Sequence, residues 1–186
     1  RLKNLKVGAY GHPFRGMFDI EYDKTKMFGN IGPETIYIEE QHLRRALDNV
    51  KKEDIDKLVK ITKERFKIRD VSEDTIKRGC RTTIALENII EEFKLDLLSI
   101  LSQWNIQIVT NDTAGYAASL LVEKGIMVGC EGDVATVIMM DVLYQLSGNS
   151  PMFGEFTLYD LDHNYVTLEH HGDGDPNLAE SMDDVY

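Results

Sequence analysis

Gly125-Ile126-Met127-Val128-Gly129-Cys130-Glu131-Gly132-Asp133 runs straight into Val134-Ala135-Thr136-Val137-Ile138-Met139-Met140 and on to Leu146-Ser147-Gly148. The short apolar run Gly125–Val128 reads as a buried strand. The long one, Val134 to Leu146, reads as a buried helix closed by Ser147-Gly148. Glu131 and Asp133 therefore stand at a strand-to-helix turn, at the carboxyl end of a strand, which is where open α/β sheets bind ligands. Asp133 is also a good N-cap for the following helix. Capping accounts for Asp133 alone. It leaves Glu131 without a role, and also the glycine that lets another group approach the backbone closely.

Outward from this turn the chain alternates strands and helices. Leu97-Leu98-Ser99-Ile100-Leu101 is a continuous apolar run of the kind found in buried parallel strands. Leu5 to Tyr10 reads as a first strand and Thr35 to Ile38 as a second, short one. Glu39–Val50, Asp54–Phe66 and Glu73–Phe93 carry apolar residues at helical spacing, with Ser72 as the cap of the third. Asp23–Phe28 reads as a short helix ended by Gly29. Ala114–Glu123 reads as a helix of small residues, with Asp112 a candidate for its N-cap. Trp104 to Thr113 has no clear pattern. Phe153–Tyr159 and Tyr165–His170 read as two strands of a hairpin. The alternation predicts an α/β fold: a parallel sheet flanked by helices, Rossmann-like or flavodoxin-like. Residues 1–150 form that unit, and residues 151–186 open a second domain.

The charge is unevenly spread. The net charge is -11, yet residues 1–124 are nearly neutral, and residues 125–186 hold twelve Asp and Glu and no Lys or Arg. Such a surface lacks the basic footprint that nucleic acid requires. It suits a cation or a basic neighbour, or simply a solvated face. No apolar run reaches the length of a membrane span, so no membrane partner is expected. Cys80 and Cys130 have no disulfide or metal spacing, which fits a reducing cytoplasm. The glycines between Gly8 and Gly16 lack phosphate-loop spacing, and Pro13 removes a backbone N–H from any cradle, which argues against a nucleotide site.

Several stretches together resemble the L-fucose/L-arabinose isomerase family, nearest its shorter fucose isomerase-like members. They are Gly125 to Asp133, Leu146-Ser147-Gly148, Phe153-Gly154-Glu155-Phe156 and Leu168-Glu169-His170-His171-Gly172, with Gly11-His12-Pro13, Phe18-Asp19 and Phe28-Gly29 near the start. The resemblance covers nearly the whole chain, and its most specific part is the Cys-Glu-Gly-Asp turn. It implies a middle section of a longer protein, lacking flanking domains. It implies aldose–ketose isomerisation of a small sugar (pentose, hexose or deoxyhexose) through an enediol, assisted by Mn²⁺ or Mg²⁺. A hard cation with oxygen ligands polarises the carbonyl while a carboxylate moves the proton.

In the family a Glu, an Asp and a His hold the metal. The Asp maps onto Asp133, with Glu131 beside it, and His170 or His171 is the candidate histidine. Adjacent strand residues point to opposite faces, so at most one of the two histidines would serve. The family's upstream catalytic Glu is missing here, and Asp112 is the acidic residue that could replace it. The candidate catalytic set is thus Asp133, Glu131 and Asp112, and the candidate metal set is Glu131, Asp133, His170 and His171. A non-catalytic sugar-binding or assembly module on the same scaffold is the alternative. Surfaces that meet missing domains would be left bare, so a homo-oligomer is expected, with exposed apolar patches near the final strands.

Overall fold

The computed structural model describes residues 1–101, 103–170 and 174–182. Four strands form one parallel sheet in the order β2-β1-β3-β4: β1 is Lys6–Tyr10, β2 Glu34–Ile38, β3 Leu97–Ile100 and β4 Val128–Gly129. The register pairs Ala9 with Tyr37 on one side and with Ser99 on the other, and Ser99 with Gly129. The α/β reading of the sequence therefore holds.

The sheet forms where the sequence is most continuously apolar. Leu97, Leu98, Ile100 and Leu101 are fully buried, each contributing roughly 2 kcal/mol by removal from water. β4 is shorter than its apolar run, but the preceding Met127 still accepts the Leu98 N–H at 3.1 Å. Although β4 ends the sheet, Met127, Val128 and Gly129 are buried. Phe153 and helix α7 (Val134–Ser147) close over Gly129, where a Cβ would stand 2.5 Å from Val137 Cγ2.

Helices cover both faces. In a parallel sheet paired residues share a face, so Gly129, Ser99 and Ala9 lie on the α7 side. The neighbouring Tyr10 faces the other way, within electrostatic range of Glu40 and Arg44. Those two belong to α2 (Glu40–Asn49), which packs with α4 (Glu73–Phe93) on that side. Helix α3 (Lys52–Arg65) packs on α4, and its Val59 forms a small satellite core with Ile76 and Cys80. Ser72 caps α4 as expected, its Oγ accepting the Thr75 N–H.

Three local expectations need correction. Helix α1 runs Lys24–Asn30, through Gly29, and the chain leaves it at Gly32, whose φ is +116°. A Cβ on Gly29 would meet nothing, so the glycine serves no terminating role there. The patternless region contains a short helix, α5 (Asn105–Thr110), and α6 follows at Gly115–Glu123. Asp112 does not cap α6. Its N-cap is Ala114, in the left-handed region at φ +63°, with no side-chain cap bond. Asp112 instead closes a turn with Thr110, whose Oγ1 accepts the Asp112 N–H and donates to its carbonyl.

The final strands, β5 (Glu155–Asp160) and β6 (Tyr165–Glu169), form a separate antiparallel hairpin. Neither strand has a buried residue. Phe156, Tyr159, Tyr165 and Leu168 are exposed along it, and Leu161 is 90% exposed at its tip. Among the described residues no helix is long and apolar enough to cross a membrane.

Candidate functional site

The direction in which strands are added to the sheet reverses between β1 and β3. β2 was laid down on one side of β1 and β3 on the other, so the loops leaving β1 and β3 diverge and open a crevice at their carboxyl ends. Three backbone hydrogen bonds tie the crevice together. Leu101 N–H donates to Tyr10 C=O at 2.9 Å, Gly132 N–H to Ile100 C=O at 3.2 Å, and Phe14 N–H to Glu131 C=O at 2.7 Å. The last joins the loop after β1 to the Glu131-Gly132-Asp133 turn, residues more than a hundred positions apart in the chain.

Gly132 is where these loops touch. Its φ is +74°, and a Cβ would fall 2.3 Å from the His12 carbonyl oxygen. Only glycine meets both demands. Glu131 is also left-handed, at φ +62°, a conformation costing about 1 kcal/mol for a residue with a side chain. Its Oε1 accepts a hydrogen bond from Gln103 Nε2 at 2.8 Å.

Asp133 sits 7% exposed at the start of α7 and caps it fully. Oδ1 accepts the Thr136 N–H at 2.9 Å, and Oδ2 accepts the Thr136 hydroxyl at 2.5 Å. Both carboxylate oxygens are thus engaged by one threonine.

The crevice has a volume of about 80 Å³. Gly11, His12 and Pro13 form one wall, Tyr22, Lys24 and Tyr37 another, and Ser99, Gly132 and Val134 the floor. The outer wall is tied by Lys24, whose Nζ donates to Tyr37 Oη at 3.3 Å and lies 4.7 Å above the ring centre. Tyr22 Oη and Thr35 Oγ1 are 2.6 Å apart. Trp104 stacks on Phe14 at 5.3 Å, bracing the loop after β1 from outside.

Ser99 is the residue that sequence patterning missed. It is fully buried in mid-strand, and its Oγ has no hydrogen-bond partner. The available signal was its polarity: one hydroxyl interrupts an otherwise aliphatic run from Leu97 to Leu101. Tyr10 has a second unpartnered hydroxyl, on the opposite face of the sheet. Burial pushes its ionisation up to about 12, with Glu40 adding to the shift and Arg44 opposing it.

The other candidates lie elsewhere. Asp112 lines a different and larger cavity that shares no residue with the crevice. His170 packs edge-on against Phe153 at 4.8 Å, and His171 lies outside the described residues. Among the described residues no three His, Cys, Asp or Glu side chains gather as a metal set. Asp133 caps α7 and Glu131 is bonded to Gln103, so both carboxylates are engaged within the protein. The sequence matches no protein-family model and no curated protein.

Proposed function

We propose that this chain is a sugar-binding α/β unit, which holds one hydroxyl-rich end of a small neutral molecule in the crevice at the carboxyl ends of β1 and β3. The observation that carries this reading is the buried, unpartnered hydroxyl of Ser99 on the crevice floor. Leaving such a group unsatisfied costs about 1–3 kcal/mol. Ser99 is fully buried, so a ligand hydroxyl must part the neighbouring lining residues to reach Oγ; where it does, it recovers that energy by donating to Ser99 Oγ or accepting from it.

Charge selects among small polar ligands. The amino-terminal end of α7 would favour an anion, but Asp133 already occupies that position and Glu21 lines the crevice. Carboxylates beside the opening disfavour a phosphate and leave a neutral polyol unopposed. At about 80 Å³ the crevice admits a hydroxymethyl end and not a whole pyranose ring.

Isomerisation of the bound sugar is the further proposal that the sequence resemblance supplies. What supports it is the Glu-Gly-Asp turn at the carboxyl end of β4. What favours binding without turnover is the engagement of Asp133 by Thr136. The test is a ¹⁵N NMR titration with L-fucose, L-arabinose and the alditol L-arabinitol. Shifts are expected at the amides of Ser99, Gly132 and Val134, and Ser99→Val is expected to abolish them. Saturable shifts that persist in Ser99→Val, or that fall elsewhere, would refute the crevice as the site.

A further inference from the structure

Two apolar faces of this chain stand bare, one on the hairpin and one on α7. The hairpin register pairs Phe156 with Leu168 and Tyr159 with Val166. Cross-strand partners share a face. Phe156 and Tyr159, at i and i+3, would fall on opposite faces of a regular strand, but the bulge between Phe156 and Leu158 returns them to one. Their rings stack at 5.8 Å. All four side chains are at least half exposed. The acidic residues of the strands lie on the other face, where Glu155 pairs with Glu169 and Asp160 with Tyr165. One face of the hairpin is therefore apolar and uncharged. A two-stranded hairpin with nothing packed on it is marginal in water.

Helix α7 shows the matching defect. Val134, Val137 and Ile138 bury its inner side. On its outer side Met139, Leu143 and Leu146 stand at i, i+4 and i+7, exposed by 53%, 50% and 80%. A surface helix is normally polar there, and one that is apolar all round is covered all round. The one charged side chain of α7, Asp141, is buried and paired with Arg1. The hairpin is rooted beside this helix, since Phe153, just ahead of β5, closes over Gly129 together with Val137. Within its own chain, however, the hairpin leaves the stripe exposed.

An apolar sheet face and an apolar helix stripe are the two halves of a layered core. Neither carries a charge, so joining them desolvates no ionised group. A second copy of the chain supplies both halves. A half-exposed side chain of this size shows roughly 100 Å², so the residues of the two faces offer about 700 Å² per copy. A two-fold pair in which each hairpin covers the other copy's helix buries about 1,400 Å², within the range of specific interfaces. A single hairpin-on-helix contact would bury half of that. It would also leave one hairpin and one stripe free to propagate an open filament, whereas the reciprocal arrangement closes.

We infer that this chain forms a closed two-fold dimer, in which the apolar hairpin face of each copy packs on the Met139, Leu143 and Leu146 stripe of the other. The interface uses no residue of the crevice and is independent of the sugar-binding reading.

Sedimentation velocity of the whole chain should show a reversible monomer–dimer equilibrium with Kd in about the micromolar range. Leu143→Lys on the helix and Phe156→Lys on the hairpin should each weaken it roughly tenfold or more. Both positions are exposed, so the circular dichroism spectrum should not change. Oxidative cross-linking then reads the pairing. Met139→Cys, Leu143→Cys and Leu146→Cys are each mixed with Leu168→Cys, and at least one mixture should give a disulfide-linked dimer. Leu168→Cys by itself should give none, because Cys80 and Cys130 are buried. A monomer at every concentration would mean that a different partner covers both faces. Dimerisation unaltered by Leu143→Lys, cross-linking of Leu168→Cys with itself, or no cross-link in any mixture would deny the hairpin-on-helix contact. Each of these results would overturn the proposal.

Discussion

Replacing Ser99 by alanine removes one atom from the centre of the sheet, and the change is expected to stabilise the protein. In the structure Ser99 Oγ is buried with no partner, so its desolvation, about 1–3 kcal/mol, is uncompensated in the folded state. Against this stands the packing of the lost oxygen, about 1 kcal/mol by analogy with deletion of one buried methylene. The balance is a gain of about 1 kcal/mol. For a chain of this length that raises Tm by roughly 2–4 °C. Urea unfolding followed by circular dichroism should show a higher midpoint with an unchanged slope, because the surface exposed on unfolding is the same. The same substitution should weaken polyol binding, the usual exchange of function for stability at a site kept unsatisfied for its ligand. Loss of about 1 kcal/mol or more in Ser99→Ala would refute the reasoning. It would mean that the hydroxyl has a permanent partner in solution and is structural.

Four further expectations follow from other parts of the molecule. Gly132→Ala combines a positive φ with a Cβ 2.3 Å from the His12 carbonyl oxygen. It should lose about 2–4 kcal/mol in the same urea assay, and a loss under 1 kcal/mol would show that the two loops separate readily. Arg65 hydrogen-bonds Glu123 and holds its carboxyl below the usual range. The stabilisation from that pair is present above the unfolded carboxylate pKa of about 4.3 and is lost as pH falls through the lower folded value. Wild type should therefore lose stability more steeply than Glu123→Gln below about pH 4, and parallel pH profiles would count against it. Calorimetric titration of Mn²⁺ should give the same result for wild type and for Glu131→Gln/Asp133→Asn, because Asp133 is engaged as a cap. Loss of a saturable site in the double variant would restore Glu131 and Asp133 as metal ligands. Sedimentation at increasing concentration should reveal self-association through the bare hairpin, weakened by Phe156→Lys with Leu168→Lys, and a monomer throughout would count against it.

Much of the fold was legible because the forces that set it act locally. A strand made of Leu97, Leu98, Ile100 and Leu101 has both faces apolar wherever it is placed, so its burial follows from composition. Helix α4 begins at Ser72 because a serine hydroxyl satisfies the Thr75 N–H within the same turn. Asp133 was readable as a cap for the same reason. The Gly29 reading went astray because glycine lowers helix stability without forbidding a helix, and nothing near Gly29 enforced an end.

The sequence by itself determined the alternation of strands and helices, the strand-to-helix turn at Glu131–Asp133 and the acidic bias of the last third. Those depend on neighbours a few residues apart and on composition. Only the tertiary structure decided that Gly132 meets His12, that Ser99 is left without a partner beside that contact, and that Asp112 belongs to another cavity. Each depends on the strand order β2-β1-β3-β4, which brings residues distant in the chain to one end of the sheet. No periodicity or spacing encodes that order. It arises from which apolar faces can be covered at once, a choice made by the whole chain and not by any segment of it.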